Sequence, residues 1–258
     1  MRVLLINPLS DLARDGNLYY RSVTPLPPLG IAYLAAEIKN NGLDVLVEDQ
    51  YASRLSNEEL IEKAIIFSPD IIGISCLTTA MSNVKRLSDG FRERLKKTTI
   101  VLGNIHPTIF PDDMLRNGIA DIVIRGEGER ALVEVARAIE SNLELSGIEG
   151  ISYRENGSIR HNRERPIIED LDVLPYPDWG SLDIKYYRRY PMLGIYNKLV
   201  LPVQGSRGCA YNCLFCSQDK FYKKPRFRKI DKIVNEIEYL YGKFNVELVG
   251  FTDAYFPF

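Results

Sequence analysis

The sequence has no apolar run long enough to cross a membrane and no long block of one charge. Lysine plus arginine number 33 and aspartate plus glutamate 34 in 258 residues, a formal net charge of -1. This balance gives no support for a nucleic-acid or anionic-membrane surface. The apolar stretch before Asp11 is too short for the core of a signal peptide. The sequence therefore predicts a cytoplasmic protein with neither a nucleic-acid nor a membrane partner.

Histidine and cysteine are scarce, and several familiar motifs are missing. The chain has two histidines and four cysteines, three of which fall in one loop while Cys76 stands alone. A secreted disulfide framework would show scattered, even pairs. Neither GxGxxG nor GxxxxGK[ST] occurs, so nucleotide phosphate loops of these two kinds are not indicated. We expect Cys76 to be an ordinary buried thiol and His106, which has no second ligand at metal spacing, to be a loop residue.

Short apolar segments alternate with amphipathic segments over the first 140 residues. The pattern predicts buried strands at 3–6, 43–47, 70–75, 99–103 and 120–124. It predicts helices at 28–40, 57–67, 80–95, 111–117 and 128–140. Near-continuous apolar strands between helices are typical of a parallel sheet covered on both faces. We therefore predict an α/β, Rossmann-like (flavodoxin-like) doubly wound fold, whose ligands bind at the carboxyl edge of the sheet. Glycine and serine at those strand ends are equally explained by turn formation.

The sequence predicts a hairpin followed by a linker in the middle of the chain. Asn156 and Gly157 form a hairpin turn signal between ISYR and SIRH. Residues 166–198 are rich in proline and aromatic side chains without a clean period, which favours an ordered linker packed across two domains. The alternative is that Tyr176, Trp179 or the tyrosines at 186–190 cover a cofactor. The predicted domains are residues 1–145, the hairpin and linker at 146–198, and residues 199–258.

Three cysteines lie within SRGCAYNCLFCSQD, residues 206–219, in the spacing CxxxCxxC. A strand at 199–206 precedes the loop, and a helix at 229–244 and a second strand at 246–253 follow it, an arrangement typical of parallel barrels. A structural zinc site needs four closed ligands, whereas an iron–sulfur cluster held by three thiolates leaves one iron open. We expect a cluster on Cys209, Cys213 and Cys216, with Gly208 leaving room for the backbone to wrap it. A zinc loop and a buried thiol cluster are the alternatives.

Four sequence blocks stand out in the first domain: PLPPLGIAYLAAEI (25–38), GISCLTTA (73–80), VLGNIHPTIFPDDML (101–115) and DIVIRGEGERAL (121–132). In their order and spacing, and together with the cysteine motif, they resemble the cobalamin-binding radical S-adenosylmethionine enzymes. The resemblance implies a cobalamin-binding domain followed by the first strands of a partial TIM-type radical barrel. It also implies cobalamin contacts from Ser75, Leu77, Thr78, Gly103, Glu127 and Gly128. The loop after the first strand lacks DxHxxG, so no histidine from that loop should bind cobalt.

The same resemblance implies a [4Fe-4S] cluster on the three cysteines and S-adenosylmethionine contacts from Phe215 and Asp253. Asp253 has a strand-end cap as its alternative role. Reduction by a donor such as flavodoxin or ferredoxin would yield a 5′-deoxyadenosyl radical, and the expected reaction is methyl transfer to an unactivated carbon of a small molecule. Alternatives are a cyclisation or rearrangement, a non-catalytic cofactor-binding module, and a methylthiotransferase acting on transfer RNA, which would need three further cysteines in the first domain.

The length after the linker is short for a barrel. About 60 residues follow position 198, whereas an eight-unit barrel takes about 250 residues. We therefore expect either a fragment or truncated product, or a barrel whose other strands come from elsewhere. The segments that would form a substrate pocket are absent, so the substrate cannot be predicted.

Overall fold

A seven-stranded sheet organises the first two thirds of the chain in the structure, a computed structural model that describes residues 1–13, 26–190 and 195–255. Its strands are β1 Arg2–Asn7, β2 Asp44–Asp49, β3 Ile71–Ser75, β4 Thr99–Gly103, β5 Ile122–Ile124, β6 Ile151–Glu155 and β7 Ser158–His161. The order is β2-β1-β3-β4-β5-β6-β7, and the first five strands are parallel. In this register Leu5 lies opposite Val47 on one side and Gly73 on the other. The predicted flavodoxin-like order is confirmed.

Helices cover both faces of the sheet. They are α1 Leu29–Asn40, α2 Gln50–Ser53, α3 Asn57–Phe67, α4 Met81–Arg94, α5 Ile105–Ile109, α6 Pro111–Arg116 and α7 Glu129–Glu140. Apolar side chains of α1 and α7 pack in one buried cluster, and those of α3 and α4 in a second cluster. Helix α3 begins at a capping box in which Ser56 and Glu59 satisfy each other's backbone N–H groups. The five predicted strands and five predicted helices match the observed bounds within two residues. The short helices α2 and α5 were not predicted.

The hairpin extends the sheet. Asn156 and Gly157 both have positive φ, 49° and 79°, as a two-residue hairpin turn requires. Strand β6 pairs antiparallel with β5, placing Ile124 opposite Ile151, and β7 pairs antiparallel with β6. The predicted hairpin is confirmed. Its addition to the first sheet could not be read from the sequence, because local turn signals do not specify a distant partner strand. The division into domains at 145 and 198 stays a prediction.

The linker packs through its aromatic side chains and 3₁₀ turns at Leu171–Val173, Trp179–Ser181 and Ile184–Tyr187. Trp179 is fully buried, and the hydroxyl of Tyr187 donates a 2.6 Å hydrogen bond to Oδ2 of Asp49. The ring of Tyr176 lies 5.3 Å from that of Tyr239 in the last helix. The linker therefore contacts both parts of the chain, which confirms the packing interpretation for these residues. The side chain of Tyr190 lies outside the described part of the chain.

The last part contains one parallel strand–helix–strand unit. Its elements, in chain order, are β8 Arg189–Tyr190, β9 Ile195–Tyr196, β10 Val200–Val203, β11 Ser206–Arg207, α8 Gln218–Tyr222, β12 Arg226–Phe227, α9 Ile230–Phe244 and β13 Leu248–Phe251. Strands β10 and β13 are parallel, and Leu240 of α9 is buried with Leu201 and Val203. The predicted start of a barrel is confirmed. Within the described ranges, no helix is both long and apolar enough to cross a bilayer.

Candidate functional site

A cavity of about 410 Å³, the first cavity, lies at the carboxyl edge of the sheet. Its floor includes Ser75 at the end of β3, Gly103 at the end of β4 and Gly126 after β5. Helix α1 adds Leu29 and Tyr33 to one side. Parallel sheets of this order present their ligand sites at this edge, so the cavity lies where the sequence placed a ligand site.

Five of the six residues assigned to cobalamin by resemblance line this cavity. They are Ser75, Leu77, Gly103, Glu127 and Gly128. The sixth, Thr78, is not among the lining residues, and its Oγ1 lies 3.1 Å from Nδ1 of His106. Burial lowers the pKa of His106, which favours a neutral ring. The structure thus brings five predicted residues together, and their role as contacts stays a prediction.

The loops after β3, β4 and β5 form the floor of the cavity and leave open space there. A Cβ built on Gly103 would meet no atom within 4 Å, so that position faces open space. The next residue, Asn104, has a φ of 82°, and its side chain donates to Oγ of Ser75 at 2.8 Å. Thr108 accepts from the N–H of Gly126 at 3.0 Å and donates to the carbonyl of Asn104 at 2.8 Å. These bonds hold the loops after β3, β4 and β5 together.

The outer wall of the first cavity comes from the segment around the cysteine loop, and sequence reasoning did not find it. The outer-wall residues are Gln204, Arg207, Gln218, Phe221 and Tyr222. Oε1 of Gln218 is buried without a hydrogen-bond partner among the described residues, which leaves an acceptor for a ligand N–H. Their closeness to the cysteines in sequence was a signal, but only the fold places them over the sheet edge.

A buried ion network joins the cavity to the cysteine loop. Nη1 and Nη2 of Arg207 lie 2.8 Å from Glu127 and 2.6 Å from Glu129, and the side chains of all three are at most 6% exposed. Glu127 also accepts from Nη1 of Arg226 at 2.9 Å and from the N–H of Ile168 at 2.8 Å. Burial by itself raises the pKa of Glu127, but the hydrogen bonds from Arg226 and Arg207 hold it below its ordinary value. Glu127 therefore stays ionised, with both oxygens already bonded to protein donors.

The cysteine loop follows β11 directly. Cys209 is half-buried, Cys213 and Cys216 are exposed, and all three are free thiols. Over the part of the chain that the structure describes, no three cysteine, histidine or acidic side chains stand together as a metal site. The assignment of these cysteines as ligands stays a prediction. Phe215, assigned to S-adenosylmethionine by resemblance, is 92% exposed.

Gly208 fixes the entry to that loop. Its φ is 85°, and a Cβ there would lie 2.4 Å from the carbonyl oxygen of Lys224. Both the left-handed backbone and this close approach exclude a side chain. The structure therefore requires glycine here because of Lys224, and the predicted role of Gly208, room for the backbone to wrap a cluster, stays a prediction.

The hydrogen bonds of Asp253 and the burial of Cys76 bear on two further predictions. Asp253 accepts from the N–H of Gly205 at 3.1 Å and from the hydroxyl of Ser206, so it orders the turn before the cysteine loop. This supports the strand-end role, and an S-adenosylmethionine contact stays a prediction. Cys76 is fully buried, and burial, with a smaller contribution from Asp11, raises its pKa to about 12. The expectation of a buried thiol is confirmed.

Comparisons with known proteins agree with the family predicted from the sequence. Residues 21–136, which include all four resemblance blocks, match the family model described as B12 binding domain. The chain is 32% identical to an uncharacterized methyltransferase of Pyrococcus horikoshii over 99% of this chain and 54% of that protein. It is also 32% identical to the anaerobic magnesium-protoporphyrin IX monomethyl ester cyclase of Synechocystis, over 98% of this chain and 49% of the cyclase. The chain thus spans about half the length of the curated relatives it matches.

Among solved structures, the cobalamin-dependent S-adenosylmethionine radical enzyme OxsB with aqua-cobalamin bound superposes with a TM-score of 0.78. The match covers 99% of this chain and 34% of OxsB, at 22% sequence identity. At that identity the likeness establishes a shared fold.

Proposed function

Since the chain belongs to the cobalamin-binding radical S-adenosylmethionine enzyme family, we propose that it holds a corrinoid in the first cavity and a [4Fe-4S] cluster on Cys209, Cys213 and Cys216. One observation carries the proposal. The cavity is bounded on its outer side by residues next to the cysteines in sequence, among them Arg207 and Gln218, so the two proposed sites would be neighbours. Two cofactors that act on one substrate must lie close together.

The residues of the first cavity fit a corrinoid. A large ligand with peripheral amides needs open backbone at the floor and unpaired acceptors and donors at the sides. Gly103 supplies the open floor, and the buried Oε1 of Gln218 supplies an unpaired acceptor. Phe221 and Tyr222 add aromatic surface to the outer wall, which would exclude water from the ligand.

The donor set of the cysteine loop fits an iron–sulfur cluster with one open iron. The amino and carboxylate groups of S-adenosylmethionine would complete the coordination of that iron. When bound, the cluster and S-adenosylmethionine would supply radical chemistry and the corrinoid would supply a methyl group, while the protein positions them and excludes competing reactions. Asp253 and Gly208 would hold the loop in place through the contacts described above.

The proposed reaction is methyl transfer to an unactivated carbon of a small molecule, with electrons from a donor such as flavodoxin or ferredoxin in the cytoplasm. Similarity to the methyltransferase of Pyrococcus horikoshii supports it. Cyclisation is the second candidate, because the chain is equally similar to the Synechocystis cyclase.

Anaerobic reconstitution tests this function. The purified chain, loaded with iron and sulfide and with hydroxocobalamin, is expected to be brown, to retain both iron and corrin after gel filtration, and to cleave S-adenosylmethionine to 5′-deoxyadenosine on reduction. Retention of both cofactors without cleavage would favour the non-catalytic binding module. Zinc in place of iron, or no corrin after filtration, would contradict the proposal.

Substitution of Gly103 tests the corrinoid site separately. Gly103→Leu is expected to weaken hydroxocobalamin binding by about five- to 150-fold, because an inserted side chain in an occupied space costs about 1–3 kcal/mol. The unliganded fold should keep its melting temperature, since a Cβ there meets no atom within 4 Å. Gly147→Leu is the matched control, because Gly147 is exposed, is equally open and does not line the cavity. Unchanged affinity in Gly103→Leu, measured by equilibrium dialysis, would place the corrinoid elsewhere.

A further inference from the structure

A second cavity of about 330 Å³ adjoins the first. Gly126, Glu127 and Phe221 line both cavities, so they form the partition between them. The second cavity is bounded by α5, the loop after β5, the start of the linker and α8. A ligand in the first cavity would need to pass only this partition to reach the second.

Cationic side chains converge on the second cavity from separate parts of the chain. Arg125 follows β5, Arg165 begins the linker, and Lys220 and Lys223 come from the segment after the cysteine loop. The acidic lining residues are Glu127 and Glu164. The carboxylate of Glu127 forms ion pairs with Arg207 and Arg226, and that of Glu164 forms one with Lys223 at 2.6 Å.

Arg125 differs from the other cations of this cavity because it has no carboxylate partner. Arg165 is paired with Glu134, whereas no acidic oxygen in the described ranges lies within 4 Å of the Arg125 guanidinium. Nη2 of Arg125 donates to the carbonyls of Ile151 and Asn162, and its buried Nε has no partner in those ranges. Burial lowers the pKa of Arg125, and the nearby charge of Glu164, which forms no ion pair with it, acts in the opposite direction.

A half-buried cation without a carboxylate in contact is costly to the fold unless a ligand compensates it. The two carbonyls hold the guanidinium in one orientation, so little further ordering is needed to bind an oxyanion. The planar guanidinium matches phosphate geometry, and lysine side chains at the rim add charge. We propose that the second cavity binds the phosphate group of a small molecule, with Arg125 as its principal ligand and Lys220 as an auxiliary one.

The phosphate has two possible sources, the nucleotide loop of the corrinoid itself or a separate phosphorylated molecule such as a substrate. The corrinoid source rests on the proposed function, and the second source does not. Comparing hydroxocobalamin with cobinamide, which lacks the nucleotide and its phosphate, distinguishes the two. Inorganic phosphate and pyrophosphate serve as probes for the separate molecule.

The variants are Arg125→Met, Lys220→Met and the control Arg163→Met. Arg163 is 86% exposed, lies close in sequence to the same wall and does not line the cavity. Lys220 is exposed and pairs only with its neighbour Asp219 among the described residues, so Lys220→Met should fold even if loss of the carbonyl contacts destabilises Arg125→Met. Binding is measured by equilibrium dialysis for corrinoids and by calorimetry and thermal shift for phosphate and pyrophosphate.

If the corrinoid supplies the phosphate, Arg125→Met should weaken hydroxocobalamin binding about tenfold or more and leave cobinamide binding unchanged, while Arg163→Met changes neither. If a separate molecule supplies it, corrinoid binding is unchanged, and pyrophosphate stabilises the wild-type chain but stabilises Arg125→Met and Lys220→Met less. The proposal is overturned if both variants match the wild-type chain in their affinity for hydroxocobalamin and in their binding of, and stabilisation by, phosphate and pyrophosphate. A wild-type chain that binds no corrinoid would defeat the proposed function, while the phosphate measurements would still decide the subsite.

Discussion

Cys213→Ala is expected to lose nearly all bound iron while keeping the fold. Cys213 is exposed, so its side chain contributes little to packing. Three thiolates are already one fewer than a four-iron cluster usually has, and removal of another leaves two protein ligands. The expected result is loss of the brown colour and of iron by elemental analysis after anaerobic reconstitution, with a melting temperature close to that of the wild-type apoprotein.

Cys76→Ala is the matched control for this prediction. Cys76 is fully buried beside Met81, whose sulfur lies 3.7 Å from its own, so truncation should lower the melting temperature without changing the iron content. Iron retained by Cys213→Ala, or lost equally from Cys76→Ala, would contradict the assignment of the loop thiols as ligands.

Arg207→Met is expected to reduce the free energy of unfolding by about 3–5 kcal/mol, because removal of one partner from a buried ion pair leaves the other charge uncompensated. Glu127 retains Arg226, but Glu129 loses its partner and remains only 6% exposed. Urea denaturation of the apoprotein measures the loss. Arg116→Met, which breaks an exposed pair with Asp112 inside one helix, should cost less than about 0.5 kcal/mol.

The double variant Arg207→Met with Glu129→Met separates charge from packing. Replacing both partners by apolar groups of similar size removes the buried charges together, and such replacements are often neutral. We expect the double variant to recover most of the stability that Arg207→Met loses. Recovery of less than half would show that the hydrogen bond from Arg207 to Glu127 carries the stability, and a single variant as stable as the wild type would contradict the prediction.

The sheet was predictable because its strands and helices carry local periodic signals. Each parallel strand is a continuous apolar run, and helix α3 begins at Ser56 with the acceptor Glu59 three residues later. The turn at Asn156 and Gly157 has residues that tolerate positive φ. Each of these signals spans fewer than 20 residues, so a single stretch of sequence contains all the information needed to predict that one strand, helix or turn.

The candidate site was only partly predictable, because its closing contacts join distant residues. Arg207 and Glu127 are separated by 80 positions, and Tyr187 and Asp49 by 138. No local pattern indicates which buried acid an arginine will meet. The carboxyl-edge residues such as Gly103 followed from topology. The outer wall with Gln218, and an Arg125 guanidinium that contacts carbonyls rather than a carboxylate, required the folded chain.

The burial of Cys76 gives the chain an internal reference for thiol chemistry. With a pKa of about 12, only about one in 10⁵ of these thiols is ionised at pH 7, and the side chain is shielded from reagents. Alkylation of the folded apoprotein should therefore modify three cysteines, and denaturation should release a fourth. Counting alkyl groups by mass spectrometry would then report, in a single experiment, how many loop sulfurs are free and what fraction of the molecules is folded.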